Sequence, residues 1–308
     1  MTAQEKSLII PLVYYDLLDR PLTALEIFKY LRADGPEISF SSVRRQLEEA
    51  TNIGQQNGLY FLANRQSLVA IRQKRLKLTQ LKWKKLRKLS RFLTLAPFLR
   101  LAAVTGSLTA YNAQELSDFD LLVVLKKNRL WLGRLLLTIL VSTMSRRRHG
   151  QLTKDRICLN CYLTEENLEI TTKVKPRDWH AAQEYGRLTP LLEIKKETYT
   201  NFIKANVWLA AFLKNYPWPN GANAKKIQPS KILNLIRQVF ERSLNGTIGD
   251  WLEKTAGKWQ GRRINRKRQN EQPGPDQVFV SNYCLMFHPQ SKSDRLMKEF
   301  HLKISNLN

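Results

Sequence analysis

The sequence predicts an α/β (α+β) chain in three parts: a small helical unit ending in a hairpin, a mixed sheet with flanking helices, and a helical C-terminal region. Three observations carry this. Apolar residues recur at helical spacing through residues 5–49 and again from residue 176 onward. Between 98 and 164 the apolar runs are short and continuous, as in buried strands. The two regions are joined by a helix-period segment, 72–100, holding eleven Lys or Arg and no acid. The expected boundaries are 1–71, 72–96 for the basic connecting helix, 97–175 for the sheet unit, and 176–308.

The first unit opens with "EKSLIIPLVYYDLLD", where Leu8, Leu12, Tyr15 and Leu18 share a helical face. Pro21 opens a second element. There Leu25, Phe28 and Leu31 are the apolar positions, and Thr23 with Glu26 has capping-box spacing. After Gly35-Pro36, "SFSSVRRQLEEA" predicts a third helix with Val43 and Leu47 inward and Arg44 and Arg45 outward. "QNGLYFLANR" sets an Asn-Gly turn before an apolar strand, a hairpin signal. Three helices and a hairpin are the plan of a winged helix-turn-helix, whose third helix reads a groove with residues such as Ser41, Ser42, Arg44, Arg45 and Gln46. The same plan serves as a packing or dimerisation module, and the residues leave both open.

In the basic helix, Leu78, Leu81, Leu86, Leu89, Phe92 and Leu93 are expected inward. Lys82, Lys84, Lys85, Arg87 and Lys88 are expected outward, as a phosphate-tracking face rather than a merely solvated one. Strands follow at "LRLAAVTGS", "SDFDLLVVL" and "RICLNCYL". The apolar stretch "LWLGRLLLTILVSTM" between the last two falls short of the roughly 20 residues of a membrane span, so it reads as a helix buried on the sheet, the lesser alternative being a membrane-associated helix flanked by Arg146, Arg147 and Arg148. From 176 the spacing is helical, with Trp179, Ala182 and Tyr185, then Phe202, Trp208 and Phe212. Residues 216–230 read as loop, 231–260 as helix, and the basic stretch at 261–277 as a Gly/Pro connector.

Composition narrows the partners. Among 308 residues, 51 Lys or Arg face 26 Asp or Glu, a formal +25, which favours polyanion partners such as nucleic acid, nucleotides or an anionic membrane face. Cys158, Cys161 and Cys284 make no disulfide framework, and Cys158-x-x-Cys161 lacks the second pair of a zinc site. With a polar start and no signal pattern, a reduced cytoplasmic setting is expected, without a membrane partner.

The chemistry concentrates in "TGSLTAYNAQELSDFDLLVVL". A strand ends at Gly106-Ser107, where glycine permits close backbone approach and exposed amides and a hydroxyl suit phosphate. Asp118 and Asp120 follow at i and i+2 on a strand, so both carboxylates leave the same face. Such a pair needs a cation, and Mg2+, or Mn2+ in its place, takes carboxylates together with substrate phosphates.

These residues resemble the signature of the DNA polymerase β-like nucleotidyltransferases: Gly-Ser, a spacer, then Asp-x-Asp between apolar residues. The resemblance covers about residues 95–175. With "RLWL" after the Asp-x-Asp strand and "CLN" on the next, the chain is also similar to a bacterial group in which a winged-helix-like start precedes this module. The resemblance implies Mg2+-dependent transfer of a nucleoside monophosphate from an NTP to a hydroxyl of a nucleic acid, protein or small molecule. Asp118 and Asp120 would hold the metal, and Gly106 and Ser107 the phosphates. The family's usual third carboxylate is replaced by Asn160, which brings no charge and no base; Asp155 and Glu169 are the nearby acids. The alternative is a nucleic-acid-binding regulator with a degenerate transferase domain.

Overall fold

The structure is a computed structural model that describes residues 2–170, 177–217, 225–271, 278–287 and 292–306. Three helices, α1 (Ala3–Asp16), α2 (Ala24–Lys29) and α3 (Phe40–Glu49), precede a hairpin of β1 (Ile53–Gln56) and β2 (Leu59–Leu62). Local chemistry sets these limits. Thr23 and Glu26 close a capping box on α2, Ser39 caps α3, and Asn57 and Gly58 take the left-handed conformations that a tight hairpin turn requires.

Helix α4 (Leu68–Ser90) then runs through the expected boundary at 71 without a break and ends in a 3-10 turn, Arg91–Leu95. The remaining elements are β3 (Leu99–Val104), the single turn α5 (Gly106–Thr109), β4 (Phe119–Leu125), α6 (Leu130–Thr143), β5 (Ile157–Thr164), α7 (Trp179–Gly186) and β6 (Thr189–Glu193). They continue as α8 (Thr198–Ala205), α9 (Lys231–Ser243), α10 (Thr247–Glu271), β7 (Val278–Val280), β8 (Cys284–Phe287) and α11 (Lys292–Ser305). One mixed sheet has the order β6-β3-β4-β5-β8-β7; among its described strands β4 and β5 alone pair in parallel, with α6 as their crossover.

Three corrections follow. The region after 175 is not helical alone, since β6, β7 and β8 complete the sheet. The connector at 261–277 is helical as far as Glu271, inside α10; 272–277 lie outside the described residues. The inner stripe of α4 is Arg72, Thr79, Lys82, Trp83, Leu86 and Ser90, so Leu81 and Phe92 face solvent.

Strand alternation divides the interior in two. Leu121, Val123 and Leu125 of β4 join a core with Trp83 and Leu86 of α4 and Leu137 of α6. Leu122 and Val124 join the other, with Trp179 and Tyr185 of α7, Phe300 of α11 and the helices of the N-terminal unit. The N-terminal unit is therefore continuous with the sheet's hydrophobic interior. Polar bonds fix the junction: Tyr15 donates to Gln183 at 2.8 Å, Tyr14 and His180 lie 2.6 Å apart, and Lys303 reaches Asp16 at 3.0 Å.

A buried ion network holds the N-terminal unit to α4. Glu26 accepts from fully buried Arg20 and from Arg72 of α4, the latter pair at 2.8 Å. Burial alone pushes the Glu26 carboxyl up, but the two guanidinium groups outweigh it and hold it at about 2. A depressed value stabilises the fold fully above the unfolded carboxylate range, and that stabilisation is lost as pH falls through the folded value. Wild type should thus lose roughly 3 kcal/mol between about pH 4.5 and pH 2 from this group. Glu26→Gln should be weaker at neutral pH and lack this part of the slope, as read by urea unfolding across the acid range.

Candidate functional site

The sequence-predicted residues meet at the end of the sheet where β4 begins. Asp118 lies one residue before β4 and Asp120 is its second residue, so both project on the side of Leu122 and Val124. Carboxylate oxygens of Asp118 and Asp120 and the Sγ of Cys158 all lie within 4.8 Å of one another. Cys158 is there because β5 pairs in parallel with β4, Asp120 opposite Cys158.

Gly106 completes the floor. Its φ is +68°, and a Cβ on it would stand 2.7 Å from Asp120 Oδ2. Both facts demand glycine. The preceding amide, of Thr105, donates to the Asp120 carbonyl at 3.0 Å, the last bond between β3 and β4. Ser107 follows, half-buried, in the one-turn α5.

Asn160, which stands where the resemblance would place a third carboxylate, reaches the site as a hydrogen-bond donor. The β4–β5 register slips between Leu121 and Leu122, leaving Asn160 as the extra residue of a bulge. A bulge re-aims a side chain, and here the amide nitrogen donates to Asp120 Oδ1 at 3.0 Å. Neither nearby acid replaces the missing carboxylate. Asp155 is held by Lys82 and Lys85, and Glu169 by Arg177.

Arg148 and Glu184 were not singled out as site residues from the sequence, and Cys158 was read there only as part of a C-x-x-C without a second pair. Arg148 Nη1 lies 2.7 Å from Asp118 Oδ2 and 3.5 Å from Cys158 Sγ. It arrives because 146–148 run alongside Ile157, with Ile157 donating to the Arg146 carbonyl and Arg148 to the Ile157 carbonyl. The three-arginine run was the available signal. Glu184 of α7 has no local signal of this kind, and the C-x-x-C at Cys158 does not point to the aspartates. Burial, reinforced by the Asp118 and Glu184 carboxylates, pushes the Asp120 carboxyl up to about 7. Burial and the same two aspartates push the Cys158 thiol up to about 12, so it stays protonated.

Of the expected phosphate-tracking cations, Arg44 and Arg45 on α3 and Lys84, Lys85, Arg87 and Lys88 on α4 are exposed. Lys82 is a correction. It is only 3% exposed and donates to the carbonyls of Glu115 and Ser117 and to Asp155 at 2.8 Å. A buried cation satisfied by three oxygens is unavailable to a nucleic acid. It anchors the loop that delivers Asp118, a positioning task.

No protein-family model, curated protein or solved structure matches this chain.

Removing one partner of a buried ion pair is costly. Lys82→Ala should therefore lower stability by about 3 kcal/mol, while Lys84→Ala, two residues on and exposed, should stay within about 0.5 kcal/mol. Denaturant midpoints of the two variants measure the contrast.

Proposed function

We propose that the chain is a Mg2+-dependent nucleotidyltransferase of the DNA polymerase β-like kind, moving a nucleoside monophosphate from an NTP to a hydroxyl acceptor. The observation that carries this is the convergence of Asp118 and Asp120 beside a glycine whose missing Cβ leaves room for the Asp120 carboxylate. The donor set fits Mg2+ or Mn2+: two hard carboxylates on one side, with Cys158 kept as a neutral thiol. Such a cation, when bound, neutralises the carboxylates and the phosphate charge beside them.

The chain's own residues do the rest. Asp118 and Asp120 hold the cation. Gly106 and Ser107 present backbone and hydroxyl to the phosphates. Arg148 covers Asp118 and must leave it when a ligand arrives, and a guanidinium at that place suits a phosphate oxygen. The acceptor oxygen attacks the α-phosphorus, the bond to the bridging oxygen breaks, and pyrophosphate leaves. With Asn160 in place of a third carboxylate, the acceptor's proton passes to water, and turnover is slow.

Cation binding needs both carboxylates ionised. Asp120 has a raised value, so its protonated form favours the fold, and that contribution is lost as pH rises through about 7. Mg2+ should offset the loss, so the Mg2+-induced rise in Tm should be larger at about pH 8 than at about pH 6. Asp120→Asn should abolish both this rise and Mg2+-dependent ATP or GTP binding. If wild type binds no NTP with Mg2+ or Mn2+, this reading falls and a nucleic-acid-binding regulator takes its place.

The three helices and hairpin of the N-terminal unit support a winged-helix-like role, with α3 and the outer face of α4 tracking phosphates. Binding to DNA or RNA should weaken steeply with salt, and replacing Lys84, Lys85, Arg87 and Lys88 by Ala should flatten the log–log salt slope by about 3. An unchanged slope would place the contact elsewhere.

A further inference from the structure

We propose that α9, with the start of α10, docks on an anionic lipid bilayer surface. Helix α9 is built inside out. Its buried residues are Arg237 and Glu241, 6% and 9% exposed, while Ile232, Leu235, Val239 and Phe240 are 73%, 62%, 55% and 56% exposed. Ile236 lies on the same outward face. The cause is on the inner side: Glu241 accepts from Arg100 of β3 at 2.6 Å and from Arg237. Ion pairs thus orient α9, and they turn its aliphatic stripe away from the protein. An amphipathic helix held this way needs an apolar medium outside the chain.

Charge selects the medium. Three residues beyond α9, α10 exposes Ile248, Trp251 and Trp259 together with Lys254, Lys258, Arg262, Arg263 and Arg266. The two acids in its first two turns are engaged by the protein: Glu253 accepts from the amides of Trp131 and Leu132 at 2.8 and 2.7 Å, and Asp250 pairs with Arg129 at 2.7 Å. Aliphatic stripe, indole rings and uncompensated cations are the composition of a helix lying in the headgroup region of anionic lipid. A second copy is disfavoured, because each protomer carries +25 and a symmetric contact sets the two basic rims against each other. A nucleic acid offers the cations a partner but leaves the aliphatic stripe wet. Among the described residues no helix is long and apolar enough to cross a membrane, so the contact is with one surface.

The test is co-sedimentation of the full chain with phosphatidylcholine vesicles, with and without phosphatidylglycerol, across a salt series. The expected result is binding that needs phosphatidylglycerol, weakens with salt and shifts tryptophan emission to the blue. Leu235→Ser with Phe240→Ser, which leaves the charge and the inner ion pairs unchanged, should weaken binding by about tenfold or more. Circular dichroism of the variant checks that it folds. No binding to anionic vesicles at low salt overturns the proposal, as does undiminished binding by the folded variant. So does a concentration-dependent dimer in analytical ultracentrifugation that the same substitutions dissolve, because a second copy then covers the face. NTP binding is read separately and does not depend on the outcome.

Discussion

At the mouth of β4, two carboxylates occupy a space that neither would choose alone. Asp118 and Asp120 share it with the Cys158 thiol, all within 4.8 Å. Like charges so close, partly withdrawn from water, raise the cost of ionising both. Arg148 takes one oxygen of Asp118 and Asn160 donates to one of Asp120, yet the Asp120 carboxyl still rises to about 7. The local architecture holds this conflict in place. Gly106 leaves room for Asp120, the bulge at Asn160 turns a donor toward it, and Lys82 pins the loop that carries Asp118. Like charges that a fold holds together in this way are a mark of functional sites more often than of stabilising ones.

Strand alternation ties this site to the rest of the molecule. Because β4 sends Leu121, Val123 and Leu125 to one core and Leu122 and Val124 to the other, its aspartates open on the face shared with α7 and the N-terminal unit. Glu184 of α7 adds to the potential at Asp120 for that reason. The N-terminal helices are part of the layer covering the face from which the aspartates project. Their attachment through Tyr15–Gln183 and the Arg20–Glu26–Arg72 network is buried and charged, which makes breaking it costly.

Helix α9 shows the same logic reversed. In most surface helices the apolar stripe seeks the core and the charges seek water. Here Arg100, Arg237 and Glu241 form the inner contact, next to a cavity of about 540 Å3 lined also by Lys126 and Lys195. Electrostatics thus orients one helix while hydrophobic burial orients its neighbours, and the surplus apolar face is left to the surroundings.

What the sequence determined by itself is what short-range physics controls. Capping residues, the Asn57-Gly58 turn and helical periodicity located the first three helices and their hairpin. The parity of Asp118 and Asp120 and the glycine before them made the site legible, since side-chain direction in a strand depends only on counting. The tertiary structure alone decided the rest. Strands β6 to β8 are short, β6 carries a proline that only an edge tolerates, and four apolar residues in β8 look the same as a turn of buried helix. The inward face of α4 follows from Lys82 finding Asp155, 73 positions away. Arg148 and Cys158 reach the aspartates through strand register, and Asn160 turns toward Asp120 through a one-residue slip in it. Each of these depends on a partner distant in the chain, and no local pattern encodes which distant partner a buried charge or strand will meet.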